Sequence, residues 1–291
     1  MEGMKRAAAL AAGLLAAAAP AAADDAQWYL QVDNDVAFST DRYYTSGVRL
    51  ARSHRSAEGR RIEFGLVQEI YTPNLNQLQP DDRPYVARLF GYGARHDYTP
   101  EMHRTLEGSL GVRGPSARGR QAMDLAHRVF PAPGDDWSRQ LPDFVDLQLA
   151  ASQSQALGFC PPTLCAAHFG AAIGTTQTYA HAGLELRAGP RPVPSQLLRF
   201  AATPPLAGPP GWGAFAGVSS RFVARNALLE GNADAGAPEV ELRQGVVRLA
   251  AGVAWSGPWG AVTFALAQDS REFETQRVPQ RFGSLALHVA F

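Results

Sequence analysis

Period-two alternation of apolar residues constrains this chain more than any other feature. In "VVRLAAGVAWS", Val247, Leu249, Ala251, Val253 and Trp255 share one face, and Arg248 lies on the other. "TYAHAGLELRAG" sets Ala180, Ala182, Leu184, Leu186 and Ala188 against Tyr179, His181, Gly183, Glu185 and Arg187. "RFGSLALHVAF" divides Leu285, Leu287, Val289 and Phe291 from Ser284, Ala286, His288 and Ala290 in the same way. Segments of this kind are strands with one greasy face and one polar or small-residue face. About twelve are expected, starting near Trp28, Tyr44, Arg61, Tyr85, His103, Phe144, Leu164, Tyr179, Gly213, Val246, Trp259 and Phe282.

Each strand with its connection averages about 22 residues. That length suits segments of about ten residues crossing a bilayer at a tilt, plus turns and longer loops. The pattern therefore predicts an all-β fold, a transmembrane antiparallel barrel of about 12 strands. Closure is required because lipid offers no partner to an unpaired strand edge. The rival is a secreted β-sandwich, which also alternates but has shorter strands and closer turns.

The start of the chain fits export. "MEGMKR" is basic, "AAALAAGLLAAAA" is apolar, and Ala21 to Ala23 supply small residues for cleavage. This is the layout of a signal peptide, so residues 1–23 are read as removed and 24–291 as one barrel domain. Without Glu2, Lys5 and Arg6 the totals fall to 25 basic and 26 acidic residues, a net charge near −1. No concentrated basic surface is evident, so nucleic acid is not an expected partner. Lys5 is the only lysine, which excludes a lysine nucleophile or base from the mature chain. Cys160 and Cys165 bracket "PPTL" in a chain bound for an oxidising compartment, and a local disulfide is the default reading.

One segment breaks the β rhythm. "GPSARGRQAMDLAHRVF" opens on Gly114-Pro115 and places Ala122, Met123, Ala126, Val129 and Phe130 at helical spacing. A short helix is expected near residues 115–130, either plugging the lumen or lying against the wall at the membrane surface. Met123 and His127 share a face, and Asp124 lies one turn before His127, where it could orient the ring.

A helix-borne histidine, the Asn34-Asp35 pair ending the first strand, and hydroxyls opening the second could meet in space. Neutral histidine is a competent general base near pH 7. Carboxylate and amide oxygens suit calcium, and a cation beside an ester carbonyl stabilises a developing oxyanion. Chemistry alone leaves the bland readings open. His127 could be a packed helix residue, Asn34 and Asp35 a turn, and Thr45 an ordinary strand residue. Asp41 and Arg42 are read as an ion pair holding the loop, and Asp81, Asp82 and Arg83 as framing of the rim. The other histidines (His54, His96, His103, His168, His181 and His288) are read as lumen or surface residues. The five tryptophans, with Tyr71, Tyr92 and Tyr98, fit the aromatic girdles of a barrel.

Several blocks occur in an informative order. "NDVAFSTDRYYTSGVRL" is similar to an opening Asn-Asp followed by an Asp-Arg-x-Tyr-Thr-x-Gly signature. "IYTPN", "DDRPYVARLFGYG", "LGVRGPSARGRQAMDLAHRVF", "WSRQL", "GAAIGTTQTYAHAGLELRAG", "GWGAFAGVSSRFVARNALLEGN" and "SREFETQ…FGSLALHVAF" follow. Together they resemble the lipid A 3′-O-deacylase family, the LpxR-type outer-membrane enzymes. The resemblance implies a twelve-stranded barrel in the Gram-negative outer membrane, acting on lipid A or lipopolysaccharide among outer-membrane lipids; a monomer is the expected state, though the sequence does not fix it. It implies calcium-dependent hydrolysis of the ester that holds the 3′ acyloxyacyl group, in a site between wall and helix. His127 matches the histidine that activates water, Asp35 the residue expected to bind Ca2+, Asn34 its shaping neighbour, and Thr45 a positioning hydroxyl.

Departures accompany the match. The family commonly has glutamine where this chain has Met123, so Met123→Gln is expected to leave activity unchanged or raise it. Gln121 points elsewhere on a helix. Arg83 could stand in for a lysine some members carry after the Tyr-x-Pro block, and Asp135 or Asp136 for an acid after the histidine. Three other readings compete: a catalytically silent relative, an outer-membrane phospholipase, and a passive porin. The porin is disfavoured because several inward positions are alanine or glycine rather than a charged constriction, and because a pore does not need the helix.

Overall fold

The structure, a computed structural model, describes residues 26–290 apart from 39, 57–59, 76, 78, 80, 100, 130–135, 161–164, 190–209 and 232–239. The expected signal peptide lies outside the described residues. Twelve strands run in chain order: β1 (Gln27–Asn34), β2 (Tyr43–Arg55), β3 (Arg61–Thr72), β4 (Val86–Tyr98), β5 (Met102–Arg113) and β6 (Phe144–Ala156), then β7 (Cys165–Gly174), β8 (Gln177–Ala188), β9 (Gly211–Asn226), β10 (Gly245–Gly257), β11 (Gly260–Asp269) and β12 (Gln280–Ala290). Among the described residues one α-helix, α1 (Gly119–Val129), interrupts them between β5 and β6. Each strand pairs antiparallel with its chain neighbours, and β12 pairs with β1 from Gln27↔Ala290 to Asn34↔Gly283, which closes the barrel. Every start read from the alternation lies within two residues of the observed one.

Alternation maps onto the two faces of the wall. On β3, Arg61, Glu63 and Glu69 are buried toward the lumen, whereas Phe64 and Leu66 are exposed on the outer surface. On β8, Glu185 points inward and Leu184 and Leu186 outward, as the period requires. The inner face is crowded with paired charges. Arg88 reaches Asp146 at 2.7 Å and Glu69 at 2.8 Å, Arg49 reaches Glu63 at 2.7 Å, and Arg248 reaches Asp269 at 2.6 Å. Small residues make room for them: a side chain at Gly65 or Gly47 would collide with the rings of Tyr92 and Tyr44.

This corrects the expected lumen. Alanines and glycines do line it, but the charges they accommodate are numerous and mutually bonded. Free space around Asp33, Arg49 and Arg88 amounts to about 60 Å³, room for a few waters rather than a channel. The porin reading is thus disfavoured because the interior is filled, not because it lacks charge.

The girdle assignment also needs correction. Trp28, Trp212, Trp255 and Trp259 are exposed on the outer surface toward the end that carries both termini. Tyr71 and Tyr92 instead face the lumen and donate to Glu69 and Glu63. Tyr98 stacks on His103 at 4.2 Å, and Trp137 is buried against Tyr85. His96 and His168 lie within the lumen beside Glu63 and Glu185, one of the placements expected of them. Cys160 and Cys165 form the disulfide across the β6–β7 connection.

Five connections lie at the end opposite the termini, 35–42, 73–85, 114–143, 227–244 and 270–279, whereas the connection 189–210 lies at the end that carries the termini. In barrels of this kind the end opposite the termini faces outward.

Candidate active site on the outer wall

β1 ends in a local turn built by its own side chains. Asn34 Oδ1 accepts the Val36 N–H at 2.7 Å, which stops the strand and starts a short 3-10 helix over Asp35–Phe38. Asp35 is only 2% exposed, and its Oδ2 accepts the Arg42 N–H at 2.7 Å. Its backbone carbonyl accepts from the Thr40 hydroxyl at 3.2 Å. Burial pushes the Asp35 carboxyl up to about 8; the Arg42 N–H opposes the shift and the neighbouring Asp41 charge adds to it. Arg42 therefore serves Asp35 through its main chain, a role the expected Asp41–Arg42 ion pair did not include.

Entry into β2 is strained. Tyr43 has a φ of 65°, the left-handed region that bulky residues avoid, and is held there by edge-on packing against Phe273 at 5.8 Å. The β2–β3 register then shifts between Tyr44 and Ser46, leaving Thr45 as the bulged residue. The bulge separates two environments. Tyr44 turns into the lumen and donates to Asp33 at 2.9 Å. Ser46 pairs with Asn34 and Ile70, whose side chains face the outer side of the wall. The Thr45 hydroxyl is hydrogen-bonded to that of Thr72 at 2.7 Å, both buried. Asn34, Asp35 and Thr45 are thus brought together at the rim where β1 meets β2.

The helix arrives from the other side of that patch. Gly114, with φ 103°, donates to the Ala87 carbonyl at 2.9 Å, and the Asp143 carboxylate accepts from both the N–H and the hydroxyl of Ser116 at 2.7 Å. A 3-10 turn over Pro115–Ala117 follows, and Gln68 donates to the Ala117 carbonyl at 2.7 Å. α1 then begins with Gly119 against Ala87 and Trp137, where any side chain would clash. Met123 is 5% exposed and packs with Ile70, Ala87, Ala117, Tyr85 and Trp137. Ile70 and Ala87 sit on the face opposite the lumenal Glu69 and Arg88, so α1 lies on the outside of the barrel. Of the two expected placements, the wall is observed and the plug is not.

Direction follows from these anchors. α1 starts over β4 and contacts β3, and the next strand along its course is β2. His127, half-buried, is one turn beyond Met123 on the same stripe. At about 1.5 Å of rise per residue that turn covers about 6 Å, slightly more than the roughly 4.8 Å between strands. The strand next to β3 is β2, which opens with the Thr45 bulge.

Two stand-ins fail. Arg83 is 1% exposed, lies 4.6 Å over the Tyr71 ring and points to Glu272 at 3.9 Å, all on the lumenal side. Its charge therefore lies on the lumenal side, away from the outer wall that carries α1. Asp136 is exposed and accepts from the Ser138 N–H at 3.0 Å, and Asp135 lies outside the described residues. Gln121 is exposed, off the wall-facing stripe. Asp82 does frame the rim, accepting the N–H groups of Asn74 and Arg83. Thr72 and the bend at Tyr43 carry no local signal in the sequence.

Met123 also takes a new meaning. It anchors the helix, so a glutamine there would bury an amide among apolar groups at a cost of about 1–3 kcal/mol. Met123→Gln is therefore expected to loosen α1, seen as faster proteolysis or amide exchange across residues 115–129. Unchanged protection would show that the pocket tolerates an amide and restore the expectation of unaltered activity.

Among the described residues no group of three or more acidic, histidine or cysteine side chains is placed to hold a metal. The donors that are present are hard oxygens. Asp35 and Asp41 are close enough for one charge to shift the other's protonation, with the Asn34 amide oxygen adjacent. Two acids and an amide in a desolvated turn fit calcium, with water or substrate oxygens filling the remaining positions, and do not fit zinc.

The sequence model of the family described as "Outer membrane protein LpxR" matches residues 7–291. Among solved structures, LpxR from Salmonella typhimurium is similar over 91% of this chain and 100% of that one, with a TM-score of 0.77 and 20% identity. The β domain of the Bordetella autotransporter BrkA covers 91% of this chain and 97% of its own, with a TM-score of 0.43 and 14% identity. No curated protein matches the sequence.

Proposed function

Because the chain belongs to the LpxR family of outer membrane proteins, we propose that it is a calcium-dependent lipid A 3′-O-deacylase. The observation that carries this reading is that α1 packs on the outer wall over β3 and β4; the reading takes His127, near the helix's end, to meet the buried Asp35 turn. A site there opens sideways to the outer leaflet, where a lipid arrives without passing through the filled lumen.

Asp35, with Asp41 and the Asn34 amide, would hold calcium, which when bound polarises the ester carbonyl. His127 Nε2 or Nδ1 takes a proton from water as the oxygen attacks the carbonyl carbon. The carbon–oxygen bond to the sugar breaks, the sugar oxygen takes the proton back from the imidazolium, and a free acid leaves. Thr45, tied to Thr72, positions a substrate oxygen. One chain closes the barrel by itself, so a monomer is the proposed active unit.

Met123 in place of a polar residue favours a second reading, a catalytically silent relative. Mass spectrometry of lipid A from cells expressing the protein separates the two. The deacylase reading expects loss of the 3′ acyloxyacyl mass, prevented by EDTA. Unaltered lipid A with a folded barrel in the membrane supports the silent relative.

A further inference from the structure

The lumen absorbs much of the chain's charge in pairs. Arg49, Arg88 and Arg248 each bond an acid, and Arg221 reaches Glu272 at 2.9 Å. The outer helix is different. Arg120 and Arg128 of α1 are exposed, and among the described residues neither forms an ion pair or a side-chain hydrogen bond. Asp124, the helix's one acid, is four residues from each and bonds neither, although that spacing suits a pair.

Position sets what these guanidinium groups meet. Gly119 and Met123 fix the wall-facing side of α1, and Leu125 is 63% exposed on one flank. Arg120 and His127 are seven residues apart, two turns along one stripe, on the opposite flank; Arg128 follows on the side away from the wall. A helix with an apolar flank and a basic flank on the outside of a barrel lies in the interface, cations among head groups. Arginine suits phosphate because its planar fork donates two parallel bonds, and partial desolvation strengthens them.

We infer that Arg120 and Arg128 recognise a phosphate on the sugar that carries the scissile ester. The inference rests on the deacylase reading and adds a binding determinant to it. Lipid A bears a phosphate on the carbon next to the 3′ ester. Two helical turns span about 10 Å, and His127 leans back along the stripe toward Arg120, so a sugar whose ester lies at His127 can present its neighbouring phosphate to the arginine.

The test is binding of two lipids to the detergent-solubilised full chain: diphosphorylated lipid A, and lipid A lacking the 4′-phosphate. Titrations use the His127→Ala background so that turnover does not interfere. The protein is expected to prefer the phosphorylated lipid by roughly tenfold or more, from one or two charge-assisted contacts. Arg120→Gln with Arg128→Gln should erase that preference and leave affinity for the 4′-dephosphorylated lipid unchanged. Equal affinity for both lipids, or a preference that survives both substitutions, overturns the inference. Acyl release by the unsubstituted protein is followed in parallel. If release is absent but the arginine-dependent preference is present, the binding inference stands and the deacylase reading falls.

Discussion

Replacing His127 with alanine is expected to abolish release of the 3′ acyl group while the barrel still assembles. A positioned general base contributes about 10²- to 10⁴-fold, so the drop should exceed about a hundredfold, in turnover rather than in substrate affinity. Assembly should survive because closure depends on the β1–β12 ladder, and α1 is anchored by Gly119 and Met123 rather than by His127. Turnover of defined lipid A and heat-modifiable gel migration report the two properties separately. Release retained at the native rate would remove His127 as the base. Loss of the folded gel form would assign it a structural role instead.

Calcium withdrawal should be comparably severe, and it should depend on pH in a specified direction. Burial raises the Asp35 carboxyl from its ordinary value of 3.8 to about 8. Below about pH 8 a cation must therefore displace a proton to bind. Its apparent affinity should fall by about tenfold for each pH unit below that value. The stability sign is the reverse in the absence of cation. The folded state then holds a proton that the unfolded chain releases near pH 4, so this contribution is complete below about 4 and is lost as pH rises through 8. In EDTA the β1–β2 rim should loosen between about pH 4 and pH 8, and calcium should restore it. Asp35→Asn should remove both effects and the activity. Calcium titrations at several pH values, read by acyl release and by amide exchange at residues 35–42, check this. A calcium requirement with no pH dependence between 6 and 9 would exclude Asp35 as the ligand.

Much of the fold is legible in the sequence because a strand's side chains alternate, and one face of each strand meets lipid. Val247 through Trp255 or Leu184 and Leu186 fix both strand and outward face without any structure. The lumen is less legible. Arg88 bonds partners 19 residues before it and 58 after it, and such pairing follows from barrel register, not from local pattern. Tyr71 and Tyr92 are ambiguous in the sequence because tyrosine suits an interface as well as a lumen. Parity along β3 and β4 assigns them inward. The helix was visible as a change of period, and Met123 and His127 as one stripe. Which wall surface that stripe covers was not visible, since it depends on Ile70 and Ala87 being small or apolar at matching heights on two other strands. Asn34, Asp35 and Thr45 stood out through their motif. The strained Tyr43 and the Thr72 partner did not, because no local pattern demands a left-handed tyrosine or pairs two threonines 27 residues apart.

The most direct test is incubation of the purified barrel with defined lipid A and calcium in ¹⁸O-labelled water, alongside a phospholipid control. Hydrolysis at the outer-wall site predicts one labelled oxygen in a freed acyloxyacyl acid, lipid A lacking only its 3′ chain, and intact phospholipid. Lipid A that keeps all its chains, or acyl loss from the phospholipid instead, would contradict it.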